Sequence, residues 1–107
     1  IKGNSNCLQR IRTKTIMPGT LNKLQELMVL TMEECGELTQ RCSKIIRKFE
    51  TLEEVTEEQR VLLLEEVGDV QCLINLMIES GLLTKTEIDA RIYTKRDKLK
   101  IWSKLIK

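Results

Sequence analysis

The chain has 107 residues, of which 41% are hydrophobic, 32% are charged and 3% are aromatic, and its formal net charge at pH 7 is +2. These values predict a single domain over residues 1–107 that buries its own core, and they exclude a disordered chain. No apolar run approaches the roughly 20 residues that span a bilayer, and the net charge is too small to indicate a nucleic-acid binder by itself.

The cysteines and the missing histidines argue against zinc. The chain has four Cys without a C-x-x-C pair and has no His, whereas zinc sites are built from closely spaced Cys and His. Cys35 and Cys42 share one predicted helix face and Cys72 follows an apolar stripe, so we expect these three to be small core residues with reduced thiols. No charged-then-apolar leader follows Ile1, and together with reduced thiols this predicts a cytoplasmic protein.

The first half of the chain predicts two helices. Residues 4–12 have helical periodicity and are followed by a Met17-Pro18-Gly19 break. Thr20 is the expected N-cap of a long helix over residues 20–49, in which apolar side chains recur every three or four positions.

Two capping boxes begin the helices of the second half. After a linker at Glu50 to Val55, Thr56-Glu57-Glu58-Gln59 opens a predicted helix over residues 56–80, which Gly81 ends as the C′ residue. Thr84-Lys85-Thr86-Glu87 opens the last predicted helix, over residues 84–104.

The predicted fold class is all-α, since no segment alternates as a strand does. The helix over residues 56–80 has an apolar band too wide for one neighbouring helix. We therefore expect an antiparallel helical bundle of the four-helix type, completed by a homodimer or homotetramer.

Two acidic motifs, Glu33-Glu34-Cys35-Gly36-Glu37 and Glu65-Glu66-Val67-Gly68-Asp69, lie on the two long helices. The pair Glu34 and Glu37 and the pair Glu66 and Asp69 have a spacing of three, so each pair projects from one helix face. In an antiparallel hairpin the pairs lie ~20 Å and ~17 Å from the turn, at nearly one height. Four carboxylates there would repel one another unless a hard cation binds, which predicts a site for Mg²⁺, with Mn²⁺ as a substitute.

Each motif has a glycine before its last acid. A helix-interior Gly costs ~1 kcal/mol relative to Ala. Gly36 and Gly68 fit either a close approach of two helix backbones at the metal site or a tolerated bend.

The motifs resemble the signature of the MazG-like, all-α nucleoside triphosphate pyrophosphohydrolases, E-E-x-x-E followed by E-x-x-D. The resemblance covers roughly Thr20 to Lys98, and dimeric dUTPases, dCTP pyrophosphatases and phosphoribosyl-ATP pyrophosphatases share this helical core. It implies a Mg²⁺-dependent enzyme that hydrolyses (d)NTP to (d)NMP and pyrophosphate, in house-cleaning of the nucleotide pool.

The resemblance also implies residue roles. The implied Mg²⁺ ligands are Glu34, Glu37, Glu66 and Asp69. Glu33 and Glu65 are implied either to support the metal ligands or to orient the attacking water, and Glu37 is a catalytic candidate as well as a ligand.

Basic residues of the last helix are candidates for binding the phosphate chain. Arg91, Lys95 and Lys98 recur at four and three residues and form one cationic stripe. A Lys stands near the place of Lys95 in MazG-like proteins. The alternative is a solvated face, and Arg41 and Lys44 are further candidates.

Three other function classes are alternatives to a hydrolase. The same bundle suits a non-catalytic nucleotide-binding or regulatory module. A nucleic-acid binder using the basic tail is disfavoured because the acidic segment would repel a duplex, and a di-iron site of the ferritin type needs Glu-x-x-His pairs. The base and sugar preference stays open.

Overall fold

The computed structural model describes residues 20–106, which form three α-helices. These are α1 (Lys23–Lys48), α2 (Glu57–Glu79) and α3 (Lys85–Trp102), with a short 3-10 helix at Leu52–Glu54 between the first two. No strand occurs in this range, and the all-α prediction is confirmed. The predicted helix over residues 4–12 lies outside the described residues. Within residues 20–106, no helix has both the length and the apolarity to cross a membrane.

The first helix begins at an N-cap two residues later than predicted. The Asn22 side chain accepts the Gln25 backbone N–H at 2.8 Å, and the Gln25 side chain accepts the Asn22 backbone N–H at 3.0 Å. This reciprocal capping box satisfies two backbone donors and makes Asn22 the N-cap of α1. The prediction of Thr20 as the cap was therefore wrong. α1 ends at Lys48, because Phe49 has an extended backbone.

The start and end of α2 follow the predicted local signals. The Gln59 backbone N–H donates to the Thr56 hydroxyl at 3.2 Å, which is one half of a capping box. At the other end Gly81 has φ +83°, while Leu82 N–H donates to the Met77 carbonyl and Gly81 N–H to the Ile78 carbonyl, both at 3.0 Å. These bonds form a Schellman motif, whose left-handed residue is usually Gly.

The last helix has the complete capping box that its sequence predicts. The Glu87 backbone N–H donates to the Thr84 hydroxyl, and the Thr84 backbone N–H donates to the Glu87 carboxylate, each at 3.1 Å. α3 ends at Trp102, two residues before the predicted end, and the Ser103 N–H donates to the Leu99 carbonyl at 2.9 Å.

The described chain divides into two compact units. The first extends to Ile74 and contains α1, the 3-10 helix and most of α2, and the second begins at Asn75 and contains the end of α2 and all of α3. The prediction of one domain over residues 1–107 stays a prediction.

The most buried side chains of the first unit include two carboxylates. Glu66 is 1% exposed and Glu34 8% exposed, and Leu73 is the one hydrophobic residue of the described range that is equally buried. Burial of carboxylates in so small a unit is unusual, because a charged group loses hydration there and needs compensation.

The cysteines lie outside this core. Cys35, Cys42 and Cys72 are all exposed and free, so the prediction that they are core residues was wrong. The face of α1 that bears Cys35 and Cys42 is turned away from the face that bears Glu34, because one residue advances a helix by about 100°. Sequence spacing correctly predicts that the two cysteines share one helix face, but it does not predict that this face is exposed.

Candidate metal centre

Three of the four predicted metal ligands come together between α1 and α2. Glu34, Glu66 and Asp69 each contribute a carboxylate oxygen, and these oxygens all lie within 4.8 Å of one another. Glu34 comes from α1, whereas Glu66 and Asp69 come from α2, where their spacing of three places them on one face. The two motifs therefore meet at one height of the hairpin. We call these three residues the acidic cluster.

The acidic cluster combines burial with negative charge. Glu34 and Glu66 are buried, and Asp69 is half-buried. The pKa of Glu34 is raised from its ordinary 4.5 to about 7, mainly by burial and then by the charges of Asp69 and Glu66, a hydrogen bond with Asp69 and the charge of Glu37. At neutral pH the metal-free cluster thus tends to hold a proton at Glu34.

The donor set fits a hard divalent cation. Two oxygens that bind one ion are separated by at most twice the metal–oxygen distance, which is roughly 4.2 Å for Mg²⁺ and about 5 Å for Ca²⁺. The separations in the acidic cluster fall within or close to these limits, so small rotations of the carboxylates suffice for Mg²⁺. All donors are oxygens, which favours Mg²⁺, Mn²⁺ or Ca²⁺ over zinc.

Glu37, Glu33 and Glu65 lie outside the acidic cluster. Glu37 is half-buried, and its charge is near enough to raise the pKa of Glu34. Glu33 is also half-buried, and Glu65 is exposed on α2. The role of Glu37 as a ligand and the catalytic roles of all three stay predictions.

The two glycines of the motifs do not bring α1 and α2 closer together. A Cβ added at Gly36 or Gly68 would meet nothing within 4 Å, and both residues are exposed. The explanation by close backbone approach at the metal site is wrong for the described residues. Each glycine is two positions, or about 200°, from the buried acid of its motif, and it therefore faces outward.

Arg41 is the one basic residue of the described range that is not exposed. It is half-buried, while every other Lys and Arg between residues 20 and 106 is exposed. Its Nη1 donates to Gln59 Oε1 at a long 3.4 Å, and its buried Nε has no hydrogen-bond partner among the described residues.

The position of Arg41 relates it to the acidic cluster. Arg41 follows Glu34 by seven residues and Gln59 precedes Glu66 by seven, so both lie about two turns toward the loop. The hydrogen bond with Gln59 places the Arg41 side chain between α1 and α2, on the loop side of the acidic cluster. The sequence did not distinguish Arg41 from Lys44 as candidates for binding phosphate. Their burial does, because Arg41 is half-buried and Lys44 is exposed.

The predicted phosphate-binding residues of the last helix lie in the second unit. Arg91, Lys95 and Lys98 are exposed on α3. Their role in binding phosphate stays a prediction.

No family model, curated protein or solved structure matches this chain. The resemblance to the MazG-like hydrolases therefore depends on the two acidic motifs themselves.

Proposed function

We propose that this protein is a Mg²⁺-dependent nucleoside triphosphate pyrophosphohydrolase of the MazG-like kind, which hydrolyses (d)NTP to (d)NMP and pyrophosphate. The observation that supports this most is the acidic cluster, because three carboxylates from two motifs converge and two of them are among the most buried side chains of residues 20–106. The proposed role is removal of unwanted nucleotides from the cytoplasmic pool.

In this proposal Glu34, Glu66 and Asp69 hold the cation, and Glu37, whose charge acts on Glu34, is the proposed fourth ligand. When bound, Mg²⁺ neutralises phosphate charge and acidifies the attacking water. The buried carboxylates would then be held as anions, since a cation favours their charged form.

The other residues of the motifs supply proton transfer and orientation. Glu33 and Glu65 are adjacent in sequence to the buried acids, and both have at least partial access to water. A carboxylate in water can accept the proton that the attacking water loses. We assign Glu33 and Glu65 to this role, together with Glu37.

Arg41 is the phosphate contact that the first unit itself offers. Its guanidinium is half-buried and incompletely hydrogen-bonded, and such a group gains from binding an anion through charge-assisted hydrogen bonds. Lys95, with Lys98 and Arg91, is the proposed contact from α3.

The proposed assembly is a bundle of the four-helix type completed by a homodimer or homotetramer. Large apolar side chains are exposed on every helix, including Leu64 and Val67 of α2. Apolar exposure on this scale is typical of an interface rather than of a monomer surface.

The test is to incubate the full chain with a panel of NTPs and dNTPs and Mg²⁺ and to identify the products. We expect pyrophosphate and a monophosphate, and the fastest nucleotide identifies the base and sugar preference. If no nucleotide is cleaved with Mg²⁺ or Mn²⁺, the proposal is wrong. Calorimetry that then shows tight binding of the Mg²⁺ nucleotide would identify the chain as a non-catalytic nucleotide-binding or regulatory module.

A further inference from the structure

α1 carries a second apolar stripe, separate from the face that bears Glu34. We call it the seam, and its residues recur at alternating spacings of four and three: Met28, Met32, Cys35, Thr39, Cys42, Ile46 and Phe49. This alternation is the pattern by which one helix packs along another. Met32 is 73% exposed and Ile46 77% exposed. Cys35, Thr39 and Cys42 between them are also exposed, and only the two end residues are half-buried.

The side of α1 that bears the seam has no charge. At about 100° per residue, all charged residues of α1 fall within a sector of about 140° that includes Glu34 and lies away from the seam. The Thr39 hydroxyl donates to the Cys35 carbonyl at 2.9 Å, so it needs no partner from outside. An exposed helix face that is apolar and free of charge, in a chain rich in charge, is typical of an interface.

The side chains in the middle of the seam are small. Cys35, Thr39 and Cys42 are small, and Gly36 and Ser43 lie directly beside them. A Cβ at Gly36 would meet nothing within 4 Å. Small residues let two helix axes approach to the near end of the ~8–10 Å range, which would offset the cost of a glycine inside a helix.

The order of residues along the seam favours a second copy of this chain in the antiparallel direction. Read from either end, the seam has large residues outside, a cysteine next and Thr39 in the centre. A two-fold axis requires such self-complementarity, because the same patch faces itself.

The helix dipole favours the same direction, because the dipoles of two antiparallel helices oppose each other whereas those of a parallel pair repel at both ends.

We propose that two copies of this chain associate through the seam, with α1 antiparallel to α1 of the partner and the two-fold axis near Thr39. This deepens the proposed assembly by naming its face and symmetry. It does not depend on the proposed hydrolysis, since no residue of the acidic cluster belongs to the seam.

The first test places a charge in the seam at positions that are exposed in the single chain. Met32→Glu and Ile46→Glu should each keep the wild-type helical content by circular dichroism. Each should raise the dimer dissociation constant by about 100-fold or more, because the two-fold axis buries two added charges per dimer. Leu52→Glu is the matched control, since Leu52 is 84% exposed and lies outside the seam. Sedimentation velocity over a concentration series measures all four proteins.

The second test measures direction through the native thiols. Two variants have Cys7 and Cys72 replaced by Ser. One of them also carries Cys42→Ser and retains Cys35 alone, and the other also carries Cys35→Ser and retains Cys42 alone. An antiparallel pair places Cys35 within roughly one turn of the partner's Cys42, whereas two Cys35 residues lie about 12 Å apart along the axis. Mild oxidation should therefore cross-link a mixture of the two chains more than either chain alone.

Three results would overturn the proposal. These are a wild-type chain that is monomeric at its highest soluble concentration, a dimer that Met32→Glu and Ile46→Glu leave intact, or cross-linking that is stronger within each single-cysteine chain than in the mixture. Failure of the hydrolysis proposal is distinguishable, because it would appear as an intact dimer that releases no pyrophosphate.

Discussion

The buried carboxyl of Glu34 makes the stability of the metal-free protein depend on pH. Its pKa of about 7 exceeds the ordinary 4.5, so the folded state holds the proton more tightly than the unfolded chain. Below about pH 4.5 both states are protonated and folding has no penalty from this group. As the pH rises through 7 the penalty grows to about 3 kcal/mol.

We expect the metal-free protein to lose stability between about pH 4.5 and 7.5, and Glu34→Gln to lose less. Urea unfolding in a chelator, over this pH range, measures the free energy of unfolding for both. Glu58→Gln, which changes an exposed acid of α2, should follow the wild type. An identical pH dependence of Glu34→Gln and wild type would contradict the assignment of Glu34 as a buried acid with a raised pKa.

Arg41 leads to a prediction about substrate affinity. Arg41→Met keeps most of the apolar stem but removes the guanidinium, and we expect the KM for the preferred nucleotide to rise about tenfold or more. Lys44→Met is the matched control, because Lys44 is exposed one turn further along. Equal kinetics of Arg41→Met and Lys44→Met would remove Arg41 from the phosphate site.

At the element scale, helix ends were predictable because their signals are local. The boxes at Thr56 and Thr84 and the left-handed Gly81 each depend on residues within a few positions of one another. The missed Asn22 cap is also local, and its partner Gln25 is visible three residues later.

The rotation of α1 was not predictable in the same way. α1 has an apolar core face and the apolar seam, and periodicity alone does not say which of the two packs against α2. Cys35 and Cys42 were therefore assigned to the core although they are exposed. The convergence of Glu34 with Glu66 and Asp69 was predictable, because motif spacing and distance from the turn determine it.

The same substitution at two glycines should change stability in opposite directions. Gly81 has φ +83°, so Gly81→Ala should destabilise by about 1 kcal/mol. Gly68 lies inside α2 with open space at its Cβ, so Gly68→Ala should stabilise by up to about 1 kcal/mol. Thermal unfolding at one fixed protein concentration compares both with wild type, and equal signs would contradict the backbone description.

At the scale of the whole molecule, the two sides of α1 are proposed to have different functions: the charged side binds metal and substrate, and the uncharged side forms the dimer interface. One side supplies Glu34 and Arg41 to the proposed site, and the seam on another side is proposed to bind a second copy. In the proposed dimer, burial of this exposed apolar surface would add to the stability of a short helical chain.

The most direct measurement of the central claim compares pyrophosphate release by wild type, Glu66→Gln and Glu58→Gln with the preferred nucleotide and Mg²⁺. Glu66 is the most buried member of the acidic cluster, and Glu58 is an exposed acid of the same helix. Loss of a cation ligand should lower kcat/KM by about 100-fold or more for Glu66→Gln, while Glu58→Gln stays at the wild-type value. Wild-type turnover by Glu66→Gln would contradict the account.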